Sequence, residues 1–202
     1  MIKRRAVLAV PALLLAAHSV LAQPSGSPAR LRGKVDSVSG DTLQLTLRSG
    51  DKVSAKLADN TRVVWLTNAK LSEVQKGSYV GTAAVAQPDG SLKALELQVF
   101  PESMRGVGEG TRDWDLGAGS SMTNGTVGNL VAAKGSTITI TYKGGEKHVL
   151  VPDNVPVVTY SPADRAALTP GANILVNGTR AADGTVTAVS ISVGKNGLVP
   201  PM

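Results

Sequence analysis

The residues best equipped for chemistry lie in one stretch of the chain, residues 101–123. Charged residues and glycine are dense in this stretch, the apolar alternation of a strand is absent, and it holds one of the two tryptophans. The side chains that could bind a ligand or a partner are Glu102, Arg105, Glu109, Arg112, Asp113, Trp114 and Asp115. Because binding groups concentrate on loops carried by a rigid scaffold, this stretch is a candidate binding element.

The same stretch could instead be an ordered strap between two domains. A plain glycine-rich linker is flexible and rarely needs a tryptophan flanked by two acids. In the strap interpretation Trp114 packs into a groove between the domains, while Arg105 and Arg112 pair with neighbouring acids. The sequence leaves both interpretations open.

A metal site is a weaker alternative for this stretch. Glu109, Asp113 and Asp115 could offer clustered carboxylates to a hard cation, but their spacing matches no EF-hand and nearby arginines would compete for them. A soft metal would need a cluster of methionine or histidine ligands. Outside the first 22 residues the chain offers only Met104, Met122, Met202 and His148. We therefore expect no metal and no cofactor.

Hydrolysis by a serine nucleophile would depend on His148. This histidine lies on a predicted strand beside a turn, and no serine stands in a nucleophile-elbow sequence. The sequence therefore predicts a protein that is not an enzyme.

The first 22 residues have the three parts of a secretory signal peptide. Residues 3–5 are basic, residues 6–21 are almost entirely apolar, and small residues precede the cleavage site expected before Gln23. The apolar run falls short of the roughly 20 residues that a membrane-spanning helix needs. We expect export to the periplasm, by the Sec or the twin-arginine route, and no membrane anchor in the mature chain.

Loss of the signal peptide changes the charge balance. It removes three of the 21 basic residues and leaves 18 against 15 acidic ones, so the net charge falls from +6 to about +3. Nucleic-acid binding usually leaves a clustered basic face, and no basic stripe interleaves with the few aromatic residues. We expect no nucleic-acid partner. The chain has no cysteine, so aliphatic side chains must stabilise the fold.

The chain contains one internal repeat, with a shift of about 94 residues. Residues 77–80 and 88–99 match residues 171–174 and 182–193 in their glycine, Asp-Gly and apolar positions. The front halves of the two copies agree more loosely. Because a solenoid needs at least three repeats, the repeat predicts a duplicated domain.

Each copy has the same order of predicted elements. Alternating apolar residues mark strands, and glycine- and aspartate-containing turns join them into hairpins. Residues 71–75 and 163–168 are the only predicted helical segments. This order is typical of a small Greek-key barrel of the OB type. The sequence thus predicts an all-β protein with two tandem OB-like barrels, each with five or six strands and one short helical turn.

Several motifs carry a resemblance to known domains. They are Gly-x-Val-x-x-Val at 33–38, Asp-Asn-Thr-Arg-Val at 59–63, the run 71–80, and the Asp-Gly-Ser hairpin followed by Ala94. Together they resemble a family of exported bacterial domains of unknown function, which are small β-barrels. The second copy departs from the motif, with Val155-Pro156 in place of Thr61-Arg62. These are turn and core positions, so the resemblance implies a fold and carries over no catalytic residue.

These observations predict the organisation and the function of the chain. The expected parts are a signal peptide (1–22), a disordered mature N-terminus (23–30), barrel module 1 (31–100), an interdomain segment (101–123), barrel module 2 (124–195) and a C-terminal tail (196–202). We expect a non-enzymatic binding or interaction protein of the periplasm, whose partner is an envelope protein or a small ligand. The alternative is a protein that binds a small ligand or a divalent cation through residues 102–115.

Overall fold

The structure, a computed structural model, describes residues 26–133 and 135–202 and consists of β-strands joined by turns. The strands are β1 (Ser27–Ser39), β2 (Thr42–Leu47), β3 (Lys52–Asn68), β4 (Tyr79–Ala86), β5 (Leu92–Ala94), β6 (Leu97–Val99), β7 (Gly110–Asp113), β8 (Ser120–Ala133), β9 (Gly135–Tyr142), β10 (Gly145–Val151), β11 (Val157–Pro162), β12 (Asn173–Arg180) and β13 (Val186–Gly194). Within the described residues the only helical segments are single 3-10 turns. The prediction of an all-β fold is confirmed, and the predicted signal peptide lies outside the described residues.

The 3-10 turns are short connections. They are Leu71–Glu73, Glu102–Met104, Arg165–Ala167 and Lys195–Gly197. Two of them stand where the sequence predicts the helical segments of the two copies. Asp164 caps the turn at Arg165–Ala167, because its carboxylate accepts a hydrogen bond from the backbone amide of Ala166 at 2.9 Å. Ser161 and Pro162, which precede this turn, are the last residues of β11.

Five strands close into a barrel. The order β13–β12–β1–β2–β3 runs through antiparallel pairings, and a parallel pairing of β3 with β13 completes the circle. Leu43 and Leu45 of β2 are fully buried in its core, together with Ile174 of β12 and Ile191 and Val193 of β13. The apolar alternation of β2 is thus the inward face of a barrel strand.

A second circuit of pairings, which we call the second ring, lies beside the barrel. In it β4 pairs with β8, β8 with β9, β9 with β10, β10 with β5, and β5 with β4. Its apolar core includes Val80, Leu97, Ile138, Ile140 and Val149, all fully buried. Strands β6, β7 and β11 are attached outside these two circuits.

Both circuits draw strands from both copies of the repeat, which corrects the predicted assignment of one barrel to residues 31–100 and the other to residues 124–195. Strands β1–β3 of the first copy are closed by β12 and β13 of the second. Strands β8–β10 of the second copy are closed by β4 and β5 of the first. Because β4–β6 and β12–β13 share one apolar pattern, that pattern does not determine which group completes which set of three strands. The arrangement is therefore an exchanged one rather than a tandem one.

Strand β1 begins inside the segment 23–30, which the sequence predicts to be disordered. Pairing with β12 orders residues 27–30: Ser27 lies opposite Arg180, and Arg30 lies opposite Asn177. Ala29 is buried against the barrel core. The prediction is wrong for residues 27–30 because the strand that orders them lies in the other copy, far along the chain.

A third apolar cluster joins the barrel to the second ring. Strand β11 bridges the two, because it pairs antiparallel with β3 and parallel with β6. The buried members of the cluster are Leu66, Ala83, Met122, Val158, Leu175 and Met202. Arg32 and Arg48 donate hydrogen bonds to the carbonyls of Met202 (2.7 Å) and Pro200 (2.6 Å). The predicted tail 196–202 is therefore packed against the barrel.

A pair of introduced cysteines tests the exchange. Residues opposite each other on antiparallel strands have Cα atoms about 4.5–5.5 Å apart, a separation that a disulfide spans. We therefore expect Ser27→Cys combined with Arg180→Cys to form an intrachain disulfide, seen by non-reducing electrophoresis and mass spectrometry. The natural chain has no cysteine to compete. Ala86 takes the place of Arg180 in the first copy, so Ser27→Cys with Ala86→Cys is the matched control. A disulfide in this control pair alone would show that the first copy closes on itself.

Candidate functional site

The segment 101–123 ties the second ring to the barrel. After the 3-10 turn at its start, β7 pairs antiparallel with β8 of the second ring, and Arg112 lies opposite Met122. Gly106 and Gly110 have φ angles of 85° and 111°, which favour glycine, and they bend the chain between the turn and the strand. Trp114 then packs against the apolar cluster that joins the two circuits. The segment is ordered along its length.

A cavity of about 460 Å³ lies beside this segment, between the barrel and the second ring. Arginines from three different strands line it: Arg30 of β1, Arg62 of β3 and Arg112 of β7. Among the described residues no aspartate, glutamate or histidine belongs to its lining. The cavity therefore carries three arginines without an aspartate or glutamate side chain in its described walls.

Trp114 holds two of these arginines. The guanidinium carbon of Arg30 lies 3.7 Å from the centre of the Trp114 ring, and that of Arg112 lies 5.5 Å from it. Both distances are within the range of a cation–π interaction. Arg112 also donates a hydrogen bond to the carbonyl of Gly108 at 2.8 Å. Burial of its guanidinium, and secondarily the positive charge of Arg30, lower the pKa of Arg112. Two cations are thus held near each other.

Asp115 anchors the segment to the barrel. Its carboxylate accepts two hydrogen bonds from Arg32 of β1, at 2.7 Å and 2.9 Å, and lies 4.0 Å from Arg30. The hydrogen bonds from Arg32 hold the pKa of Asp115 below its ordinary value. This fork geometry is the strong form of an arginine–carboxylate pair, so the residue positions the segment beside the cavity.

The remaining candidate residues of the segment lie away from the cavity. Glu102 and Arg105 form an exposed ion pair at 2.6 Å, and Glu109 accepts a hydrogen bond from the backbone amide of Lys143 at 2.9 Å. Asp113 is exposed. The described part of the chain holds no group of three or more histidine, cysteine, aspartate or glutamate residues placed to bind a metal, so Glu109, Asp113 and Asp115 are not brought together.

Polar side chains line the inner part of the cavity. Asn124 is almost fully buried and donates a hydrogen bond from its Nδ2 to the carbonyl of Val107 at 3.0 Å. The hydroxyl of Tyr160 donates to Oε1 of Gln98. Within the described residues, Asn124 Oδ1 and Trp114 Nε1 are buried without a hydrogen-bond partner. Such atoms cost free energy when no partner satisfies them.

Glu96 lies behind this polar layer and is fully buried. Its Oε1 accepts hydrogen bonds from the backbone amide of Ala83 at 2.7 Å and from Nε2 of Gln98 at 3.0 Å. Burial raises the pKa of Glu96 from 4.5 to about 7. Burial, and secondarily the negative charge of Glu96, raise the pKa of Tyr160.

A second cavity, of about 440 Å³, continues from the first. The two share several lining residues, among them Arg62, Met104 and Tyr160. Unlike the first, the second cavity has carboxylates in its lining, from Asp59 and Asp164. Arg62 and Arg165 balance them, so the excess of positive side chains is confined to the first cavity.

The structure brings together two of the seven candidate residues, Arg112 and Trp114, with residues that the sequence analysis missed. Arg30 falls in the stretch predicted to be disordered, and Arg62 is an exposed residue of a strand. Met104, Met122 and Met202, which look isolated in the sequence, all line the first cavity. No local pattern marks these residues, because only the strand exchange and the packing of residues 196–202 place them side by side.

His148, on which hydrolysis by a serine nucleophile would depend, lies outside the cavity. His148 is on β10, where its side chain lies 3.2 Å from the hydroxyl of Thr139 and 3.5 Å from Glu146, so no serine of the cavity is its neighbour. In the described part of the chain, no helix has both the length and the apolarity to cross a membrane.

Comparisons of the chain with protein-family models, with curated proteins and with solved structures found no match.

Proposed function

We propose that this is a non-enzymatic binding protein of the periplasm that holds a small ligand in the cavity between the barrel and the second ring. One observation carries the proposal: Arg30, Arg62 and Arg112 line a cavity of about 460 Å³ that has no aspartate or glutamate among its described lining residues. Ligand sites are concave, largely apolar and equipped with a few convergent polar groups, and this cavity fits that description.

The segment 101–123 supports this function as a wall of the site. It contributes Met104, Val107, Arg112 and Trp114 to the lining, and the pairing of Asp115 with Arg32 fixes it to the barrel. An envelope protein as partner, the first expectation from the sequence, stays a prediction. A divalent cation is a poor fit for this cavity, since three guanidinium groups would repel it.

Binding rather than catalysis is favoured by the chemistry of the lining. The serines among its described lining residues are Ser103, Ser190 and Ser192. Activation of a serine needs a histidine or another base within hydrogen-bond reach, and the described lining holds no such base.

Thermal unfolding of the mature chain, residues 23–202, tests the proposed function. The probes are inorganic phosphate, small carboxylates, alkyl carboxylates and phosphates, nucleotides, neutral glycans and divalent cations. We expect an anionic probe to raise the unfolding temperature. A ligand present at about 100 times its Kd adds about 2.7 kcal/mol to the free energy of unfolding, which corresponds to roughly 5–10 °C for a chain of this size.

Arginine variants locate the binding site. The double variant Arg62→Gln/Arg112→Gln is expected to abolish most of this ligand-induced rise. Arg180→Gln is the matched control, because Arg180 is exposed, donates only to the carbonyl of Gly184 and lies outside both cavities. Stabilisation by a divalent cation, or an anion effect that the double variant leaves intact, contradicts the proposed site. No rise with any probe contradicts small-ligand binding.

A further inference from the structure

We infer that the ligand of this cavity is an amphipathic organic anion, with a carboxylate or phosphate head held by the three arginines and an apolar body lying against Met104 and the apolar lining beside it. The inference rests on the proposed function, because it names the chemical class of the ligand for the same cavity.

The negative charge of the head group is inferred from the arginines of the cavity, whose positive charge is not balanced by the lining. Arg30 and Arg112 are held on Trp114 at 3.7 Å and 5.5 Å, and the side chain of Arg62 makes no hydrogen bond or ion pair with the described residues. The nearest carboxylate, Asp115, is bound through both oxygens by Arg32. Guanidinium groups match the geometry of carboxylates and phosphates and can bind them through two parallel hydrogen bonds. An anionic head would balance the charge that the chain leaves uncompensated.

The apolar body follows from the three methionines. Met104, on the segment, is half-buried and offers surface to a ligand, whereas Met122 and Met202 are only 1% and 2% exposed and back the same lining from the apolar cluster between the two circuits. Methionine is flexible and polarisable, and it adapts to irregular apolar partners. Val107 and Leu175 extend the apolar lining. The cavity volume lies within the range of about 300–1,000 Å³ that is typical of small-molecule sites.

The second cavity gives an alkyl chain room to extend. It joins the first at Arg62, Met104 and Tyr160 and adds apolar lining from Val63 and Pro162. Asp59, Asp164 and Arg165 also line it, so its acidic and basic side chains balance, and an anionic head is favoured at the end where Arg30 and Arg112 lie without an aspartate or glutamate in the lining.

Trp114 argues against a nucleotide or another ligand that stacks on an aromatic ring. A stacking site presents a free ring face to the ligand. Here Arg30 occupies the Trp114 ring at 3.7 Å, and Arg112 lies near it. The tryptophan therefore positions the arginines, and the other two aromatic rings of the lining, Phe100 and Tyr160, stack on each other with their centres 5.2 Å apart.

Titration calorimetry on the mature chain, residues 23–202, separates the contributions of head and body. The probes are decanoate, decyl phosphate, decanol, acetate and inorganic phosphate. We expect decanoate and decyl phosphate to bind, and decanol, acetate and inorganic phosphate to bind at least about tenfold more weakly. Octanoate is expected to bind more weakly than decanoate, by about two- to fourfold for each methylene removed.

Two variants assign the contributions to residues. Arg62→Gln is expected to weaken decanoate about tenfold and to leave decanol unchanged. Met104→Gln is expected to weaken decanoate and leave acetate unchanged. Arg180→Gln is again the control with unchanged affinities, and circular dichroism of each variant shows whether it is folded.

The outcomes distinguish failure of the inference from failure of the proposed function. Equal affinity for acetate and decanoate, or for decanol and decanoate, overturns the amphipathic ligand while binding in the cavity stands. Decanoate binding that neither Arg62→Gln nor Met104→Gln changes places the ligand elsewhere and overturns the inference. If no decyl probe binds but another anion stabilises the protein through the arginines, the inference fails and the proposed function stands. If nothing binds in either experiment, both fail.

Discussion

Neither half of the chain, expressed alone as residues 26–100 or residues 101–202, is expected to fold. The first half keeps β1–β3 but lacks β12 and β13, which close the barrel. Ile174, Val176, Ile191 and Val193 of those two strands are fully buried in the barrel core. Burial of one such side chain contributes about 1.5–3 kcal/mol, so the loss of all four is comparable to the 5–15 kcal/mol that stabilises a typical domain. Circular dichroism and amide-proton dispersion in NMR spectra measure the result.

An equimolar mixture of the two halves is the control. It supplies every strand of both circuits, so we expect a folded one-to-one complex with a cooperative thermal transition. The opposite result, a first half that folds alone with a cooperative transition, would mean that each copy of the repeat closes on its own strands and that the exchange is dispensable.

The local elements of this fold follow from the sequence, and their pairing does not. The Asp-Gly turns of the two copies place Gly90 and Gly184 at φ angles of 82° and 86°, which glycine adopts without steric cost. The alternation in β2 likewise marks Leu43 and Leu45 as inward residues. Pairing is different, because the two copies carry the same apolar pattern. Closure within a copy and closure between copies satisfy that pattern equally, so the repeat itself hides the exchange.

The site shows the same division between local pattern and packing. Trp114 and Arg112 stand out because a tryptophan among charges is unusual in a glycine-rich segment. Arg30 and Arg62 resemble ordinary solvent-facing residues of strands, and Met202 directly follows two prolines. They meet only because β1 pairs with β12 and residues 196–202 pack against the barrel. Single-sequence reasoning therefore finds one wall of the cavity and misses the walls that distant segments supply.

Glu96 is expected to make the protein less stable as the pH rises from about 4.5 to 7. It is fully buried, one carboxylate oxygen has no hydrogen-bond partner among the described residues, and burial raises its pKa from 4.5 to about 7. Within this window the folded state keeps a proton that the unfolded state releases. The free energy of unfolding therefore falls by up to roughly 3 kcal/mol as the pH rises through this window. Below pH 4.5 and above pH 7 the Glu96 carboxyl adds no pH dependence to it.

Asp115 acts outside this window. Asp115, whose pKa the Arg32 hydrogen bonds hold below 3.8, loses its contribution only at lower pH, and there the sign is opposite, because stability falls as the pH falls. The two effects can therefore be separated by urea unfolding at pH 4.5, 6 and 8.

Replacement of Glu96 by glutamine tests this assignment. The amide oxygen of Glu96→Gln can still accept the hydrogen bond from Ala83, while the side chain no longer titrates. We expect the variant to be insensitive to pH between 4.5 and 7 and to be more stable than the natural protein at pH 8 by up to about 3 kcal/mol. Glu73→Gln, which alters an exposed glutamate on a 3-10 turn, serves as the control and should follow the natural protein. If Glu96→Gln and the natural protein lose stability in parallel as pH rises, the buried carboxyl of Glu96 is not the group that titrates.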